Sequence, residues 1–519
     1  MISHEYDALR ELLLLQESVS VDEWLEQIAK SDRRPNVLFI VADDLRPEMS
    51  AQLHSRSPWL EPSIHTPHLD ALASRGVLFR RAYCQSAWCN PSRSSFLTSR
   101  RLDTTMVHNN TVYFRQTNPS LVTLPQYFKE NGYFSLGMGK VFHLSRTPGA
   151  EDNTHSWSVP MVRLEEDAFM HDGSRAWGSV SREQQDAKPL LDELVLSKAK
   201  DALNDMDALA EGKPFFMAVG LKKPHLNWYF PERYLQHYKS ISSPSPLSMH
   251  DSIPDIAWQE SYEVSYKKEY AADVGNWSVH SASPQSITEE LRRAYFSCVS
   301  YIDDLVGQLM QHLEETGYGS NTIVAFIGDH GFHLGEHGIF GKSTTFEVAN
   351  NVPVILRVPG VTEEASVSDK LIELVDIFPT LADLAGLPRV PVCPDESRDV
   401  PVCTEGSSLM PLLQTTLAPW KERVFYQFPH MMKDRYLYCM GYSMRTPRYR
   451  YTEWVIYYYK AKRHADWQQS CGVELYDHSK DPHESRNIAE DLQMASVRKE
   501  LSTQLRAGWR GALPTEGRE

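Results

Sequence analysis

Two apolar runs in this sequence end abruptly in acid. NVLFIVADD closes on Asp43 and Asp44, and NTIVAFIGDHG carries Asp329 and His330 at its end. If both runs are strands of one sheet, three carboxylates and an imidazole sit at strand tips that could share one divalent cation. Oxygen-rich ligation suits Ca2+ or Mg2+ better than a softer metal. The stretch DHGFHLGEHG also holds His333 and His337. It lacks the H-E-x-x-H spacing of a zinc site, and no second histidine cluster completes one. Those two histidines read as loop residues near the site.

A third element with chemical potential is Cys89 in CNPSRSSFLTSRR, a stretch rich in hydroxyls and arginines. A cysteine-dependent phosphatase would place its arginine six positions after the cysteine, where Ser95 stands; Arg93 comes four positions after. A papain-like context is also absent. A buried filler is the usual fate of a lone cysteine, yet Pro91, Ser92 and Arg93 read as the polar start of a helix. On these residues alone the role of Cys89 stays open.

The surrounding pattern supplies the scaffold. Fully apolar strands (NVLFIVADD, PFFMAVGLKKPH, NTIVAFIGDHG and the shorter VPVILRVPG) are separated by helical segments such as TLPQYFKENGY and ITEELRRAYFSCVSYIDDLVGQLMQHLEETG. That alternation predicts α/β layering with a largely parallel sheet. Sites in such sheets form beyond the carboxyl ends of the strands. Asp43-Asp44, Lys223 with His225, and Asp329-His330 all fall there. From about residue 416 the sequence turns aromatic, alternating and turn-rich, which predicts a smaller antiparallel sheet. Residues 230–285 are rich in Ser, Pro and Tyr without periodicity and read as loops shaping a pocket rim. No internal repeat is present.

The 519 residues are 41% hydrophobic and 23% charged, an ordinary globular balance for one large domain with a smaller one appended. A net charge of −15 argues against nucleic acid as a general partner, although a local basic cluster can still bind an anionic substrate. No stretch is long and apolar enough to span a membrane. The first thirty residues do not read as a secretory signal. They read as an amphipathic helix with Leu12, Leu15 and Val19 on one face, followed by the break KSDRRP. The seven cysteines form neither a disulfide framework nor a metal cluster, and there is no C-x-x-C. Cys393 and Cys403 in CPDESRDVPVC stand out as a pair that could close a short loop. Sequons at Asn109 and Asn276 also suit an oxidising compartment.

Cys89-Asn90-Pro91-Ser92-Arg93 followed by SSFLTSRR resembles the signature of the sulfatase family, whose cysteine is converted after translation to formylglycine. NVLFIVADDLRP, RRLDTT, LPQYFKENGYFSLGMGKVFH, AVGLKKPH, DHGFHLGEHGIFGK and LVDIFPTLADLAGLP follow in the family's order. GKVFH, RRLDTT and MGYSMRTPRYRYTEW are most similar to the branch acting on 2-O-sulfated iduronate, and the spacing of Cys393 and Cys403 resembles a disulfide of that branch. The resemblance runs from about residue 34 to about residue 490.

It implies an alkaline-phosphatase-like sandwich: an N-terminal extension over 1–33, a catalytic domain with a large mixed, mostly parallel sheet over 34–415, and a C-terminal subdomain with a small antiparallel sheet over 416–519. Asp43, Asp44, Asp329 and His330 match the family's calcium ligands, with the modified Cys89 completing the set. Arg93 would hold the formylglycine hydrate, Lys140 and Lys342 would balance charge on the sulfate, His225 would protonate the leaving alcohol, and His143 would assist elimination. One hydroxyl of the hydrate attacks sulfur and the other expels sulfate, a step that a serine could not perform. Asp152 would face the substrate.

The implied activity is hydrolysis of the 2-O-sulfate of terminal uronate (iduronate) in heparan or dermatan sulfate-type glycosaminoglycans. The implied partner during maturation is the formylglycine-generating enzyme, and the implied location is lysosomal or secreted. The alternatives are a phosphonate or phosphodiester hydrolase of the same superfamily, or a non-catalytic binder of sulfated glycans. The chain departs from the family at Ser99, where glycine is usual. It departs from the iduronate branch at Phe332, where tryptophan is expected at the pocket wall, and in a shortened insertion with no cysteine between residues 151 and 213.

Overall fold

The computed structural model describes residues 19–514 except 31–33, 53–60, 62, 144–148, 165–174, 261, 266, 268–269, 271–277, 280, 283, 432–436 and 459–463. Strand β1 (Asn36–Asp43) is buried along its whole length, as its unbroken apolar run predicts. The other strands of its sheet are β2 (Val77–Tyr83), β3 (Phe134–Gly139), β4 (Phe215–Pro224), β5 (Thr322–Gly328), β6 (Asn351–Arg357), β7 (Ser366–Ser368) and β8 (Ile372–Glu373). They lie in the order β7-β2-β6-β5-β1-β4-β3, with β8 also paired to β2. β1 runs parallel to β4 and β5, and β3 is parallel to β4. Only β6 opposes its neighbours, β2 and β5. The sheet is mixed and mostly parallel.

Period-two alternation sends the side chains of β1 to two separate cores. Leu38, Ile40 and Ala42 join Tyr295, Phe296 and Val299 of the long helix Gln285–Glu315. Val37, Phe39 and Val41 join Phe96 and Leu97 of the helix Cys89–Thr98 on the other face. Each helix therefore covers one face of the same strand, and the tip of β1 emerges between them.

A second sheet follows in chain order: β9 (Val424–Met431), β10 (Leu437–Arg445), β11 (Tyr449–Tyr458) and β12 (His464–Asp477), all antiparallel. Leu501 and Leu505 of the helix Ala495–Ala507 pack on Phe425, Met444, Tyr451 and Leu475 of this sheet.

Near the N-terminus, the helix Val21–Lys30 buries Val21 and Trp24, and Trp24 Nε1 donates to the Leu384 carbonyl at 3.3 Å. Leu12 and Leu15 lie outside the described residues, as does Asn276. Among the described residues, the 230–285 region holds two 3-10 turns and a short helix, Tyr262–Ser265, amid irregular backbone. Two disulfides are present, Cys393–Cys403 and Cys439–Cys471. The second corrects the expectation of a single loop pair. Its cysteines sit on β10 and β12, which flank β11, and Cys471 lies where a bulge shifts the β11/β12 register.

Candidate active site

The tips of β1 and β5 are tied together before any side chain reaches out of the sheet. Asp329 N donates to the Ala42 carbonyl at 3.1 Å, and Asp44 N donates to Asp329 Oδ1 at 3.0 Å. Asp44 adopts a left-handed φ of 63°, which turns the chain at the strand end and separates its side chain from that of Asp43. Cys89 starts its helix directly after Trp88, which is extended, and all ten residues of that helix are buried. The helix stops at Ser99, with φ 55°. Glycine is favoured at a left-handed cap because it has no Cβ. Ser99 holds that conformation with its hydroxyl donating to the Val375 carbonyl at 2.6 Å.

Side chains from five parts of the chain converge on Cys89. Its Sγ lies 3.4 Å from Asp43 Oδ1 and 3.4 Å from His330 Nε2. Lys342 Nζ lies 3.5 Å away and Lys140 Nζ 3.6 Å away. The donor atoms of Asp43, Cys89, Asp329 and His330 are all within 4.8 Å of one another, and so are those of Asp43, Asp44, Cys89 and His225. Arg93, fully buried, donates from Nε to Asp329 Oδ2 at 2.9 Å and from Nη2 to Asp43 Oδ1 at 3.2 Å. Lys140 pairs with Asp43, and Lys342 pairs with Asp44 at 2.6 Å.

Burial and charge push these groups in different directions. Burial alone would raise Asp43, but Lys140, His225, Arg93 and Lys342 together hold its carboxyl well below the usual range. Asp44 goes the other way: burial lifts it well above that range, and Lys342 only partly opposes the lift. At Cys89, burial and Asp43 favour the neutral thiol, yet Lys140, Lys342 and His330 outweigh them and lower the pKa. The position therefore favours a negative charge, as does the start of a ten-residue helix. Burial depresses His225, aided by Lys342 and Lys140. His143 is pushed down to about 3 by burial and then by Lys140.

His143 does not join the cluster of donor atoms. It lines, with Arg93, Asn90 and Tyr113, a small adjoining cleft. Asp152 corrects an expectation. It is 1% exposed, and its carboxylate is taken up internally by Arg115 Nη2 at 2.7 Å and by Tyr113 Oη at 2.6 Å. Phe332 also lies elsewhere than the pocket wall: it is buried against Trp228 and Tyr295. His333 and His337 are buried as well, and His337 stacks on Phe346.

Three contributors had not been singled out. Ser92 Oγ donates to the Asp329 carbonyl at 2.6 Å, and its place in the Cys89 motif was the available signal. Glu263 Oε1 lies 3.6 Å from Lys342 Nζ, from a segment without periodicity. Asp192 accepts from the backbone N–H groups of Lys222 at 2.7 Å and Lys223 at 2.9 Å, fixing the turn that presents His225. Nothing local in the sequence links Asp192 to that turn.

The family model described as Sulfatase matches residues 35–387. The chain belongs to the sulfatase family. A second model, N-sulphoglucosamine sulphohydrolase, C-terminal, matches residues 335–510 of this sulfatase. Iduronate 2-sulfatase of Mus musculus is 33% identical over 517 residues, covering 88% of this chain and 91% of the mouse protein. Two solved structures share the fold. One, determined with its substrate D-glucosamine-2-N,6-O-disulfate, has a TM-score of 0.66 at 23% identity and covers 92% of this chain and 98% of its own. The phosphonate monoester hydrolase of Agrobacterium radiobacter has a TM-score of 0.67 at 20% identity and covers 92% and 96%. This sulfatase is a sulfuric ester hydrolase that resembles iduronate 2-sulfatase.

Proposed function

We propose that this sulfatase removes the 2-O-sulfate from terminal uronate (iduronate) residues of heparan or dermatan sulfate-type glycosaminoglycans, with Cys89 converted to formylglycine and one Ca2+ at the strand tips. The observation that carries the chemistry is the convergence on Cys89 Sγ of Asp43, His330, Lys342 and Lys140, all between 3.4 and 3.6 Å. The 33% identity to mouse iduronate 2-sulfatase supports the substrate.

The residues present fit a hard cation. Asp44 Oδ2 is buried without a hydrogen-bond partner among the described residues, and Asp43, Asp44 and Asp329 set three carboxylates around position 89 in two clusters that share Asp43. With His330 they would hold Ca2+, which supplies polarisation of a sulfate oxygen. Formylglycine at position 89 supplies, as its hydrate, a hydroxyl nucleophile for sulfur.

The chain's own residues do the rest. Arg93 spans Asp43 and Asp329 and so fixes the start of the Cys89 helix against both strand tips. Lys140 and Lys342 flank position 89 and balance charge on the sulfate oxygens. His225 holds the proton for the leaving alcohol. Burial, aided by Lys342 and Lys140, lowers its pKa in the free protein, and a docked sulfate ester offsets those two positive charges and strengthens its grip on a proton. His143, whose Nδ1 is buried without a hydrogen-bond partner among the described residues, accepts a proton when sulfate leaves.

The disulfides Cys393–Cys403 and Cys439–Cys471 support a lysosomal or secreted location. The test is sulfate release, followed by ion chromatography, from a 2-O-sulfated uronate disaccharide and from its isomer sulfated at glucosamine O6. Faster release from the 2-O isomer is expected, and a preference for the 6-O isomer contradicts the reading.

A further inference from the structure

The irregular 230–285 region contributes one short element that reaches the site. Val264 is fully buried in the core under the main sheet, as is Tyr270 at 3% exposure. Between them, Lys267 N donates to the Val264 carbonyl at 2.9 Å, and Tyr270 N to the Lys267 carbonyl at 3.0 Å. With Val264 and Tyr270 anchored inward, Glu263 reaches Lys342 and Lys267 reaches Asn227. Glu263 Oε1 stands 3.6 Å from Lys342 Nζ. Lys267 Nζ donates to Asn227 Oδ1 at 2.9 Å.

Asn227 is a buried, well-bonded residue of the turn that carries His225. It is 6% exposed, its Nδ2 donates to the Arg175 carbonyl at 2.6 Å, and its own carbonyl accepts from Lys223 Nζ at 2.7 Å. It stands two residues beyond His225 in the same turn. The Lys267 ammonium is therefore tied to the turn that carries His225, the residue assigned to the departing alcohol.

That ammonium has three donors. Asn227 takes one, and no carboxylate lies within ion-pair distance of it among the described residues. Burial lowers its pKa, and Glu263 only opposes that trend. A partly buried cation tethered to a neutral amide, and left without a carboxylate of its own, is suited to receive one from a ligand.

We infer that Lys267, positioned by Asn227, is a specificity-determining residue that binds the carboxylate of the uronate ring while Lys140 and Lys342 bind its sulfate. The inference rests on the uronate reading above. It adds a subsite that separates acidic sugars from neutral ones.

The experiment compares a 2-O-sulfated hexuronate disaccharide with its carboxyl-reduced counterpart, in which the carboxylate is a hydroxymethyl group. The readout is the ratio of kcat/KM on the two. The wild-type protein is expected to favour the carboxylate by about tenfold or more. Lys267→Met is expected to bring that ratio close to one, mainly through KM, and Lys267→Arg to restore much of it. Raised ionic strength should weaken the wild-type preference more than that of Lys267→Met. A Lys267→Met protein that keeps the wild-type ratio, or that loses both substrates equally, overturns the inference while the uronate reading stands. A wild-type protein that cleaves neither sugar but still releases sulfate from an aryl sulfate overturns the uronate reading, and this inference with it.

Discussion

Arg93 Nε donates to Asp329 Oδ2 at 2.9 Å, across 236 positions of sequence. This one bond locks the helix that begins at Cys89 to the tip of β5. Both partners are fully buried, so removing one leaves an uncompensated charge in a low-dielectric site. Arg93→Ala is expected to lower stability by about 3–5 kcal/mol and to abolish sulfate release. Arg93→Lys keeps the charge but loses the planar fork that reaches two carboxylates, so it too should lose nearly all activity. Thermal unfolding and sulfate release, measured on the same preparations, check both outcomes.

Lys140 depends on a glycine in the neighbouring strand. Lys140 N donates to the Gly220 carbonyl at 2.8 Å, and a Cβ on Gly220 would fall on the Lys140 backbone. Gly220→Ala should push Lys140 away from position 89. A misplacement of that kind costs about 10²-fold in rate. The variant should fold, with kcat/KM on an aryl sulfate reduced by that order. Unchanged kinetics would show that Lys140 is not held through this contact.

Calcium should stabilise the protein as well as support its activity. A ligand that binds only the folded state adds about 2.7 kcal/mol at one hundred times its Kd. Adding Ca2+ to chelator-treated protein should raise Tm, and Asp44→Asn should weaken that rise. Asp44 is the informative site because its Oδ2 has no hydrogen-bond partner to lose among the described residues. A Tm indifferent to Ca2+ in the wild-type protein would contradict the metal assignment.

Away from position 89, Glu336 sets a pH limit on stability. It is buried between Arg46 at 2.8 Å and Arg292 at 3.1 Å. Burial would raise its pKa, but the two arginines lower it from 4.5 to about 2. A folded value below the unfolded one means that its contribution is fully present above pH 4.5 and is lost as pH falls towards 2. The shift corresponds to about 3 kcal/mol. Glu336→Gln should be markedly less stable than wild type at pH 7, and the gap should narrow below pH 4.5. Unfolding midpoints between pH 3 and 7 measure the gap. A constant gap would show that Glu336 acts through packing alone.

Much of this arrangement was legible in the sequence because the strands that carry it are continuous apolar runs with polar tips. Asp43, Asp44, Asp329 and His330 needed only that pattern to be placed together. Cys89 needed the family resemblance, because its own neighbours fit several chemistries. For Asp152 the family resemblance implied a substrate contact, and no local pattern signals its internal partners. Its partners Arg115 and Tyr113 stand 37 and 39 positions away and satisfy it internally. Cys439–Cys471 was missed for a related reason: the cysteines come together only when β11 lies between their strands, at a bulge that leaves no periodic trace. Glu263 and Lys267 belong to a segment fixed by tertiary packing of Val264 and Tyr270, which local pattern does not encode.

The central claim is that Cys89 is a precursor and not a thiol in its own right. Trypsin should release Ala82–Arg93, which carries both Cys84 and Cys89. After alkylation, mass spectrometry of protein made in a cell with the modifying enzyme reads both positions in one peptide. An alkylated Cys84 is expected beside a position 89 that is lighter than cysteine and reacts with hydrazine as an aldehyde. Full alkylation at both positions would contradict it.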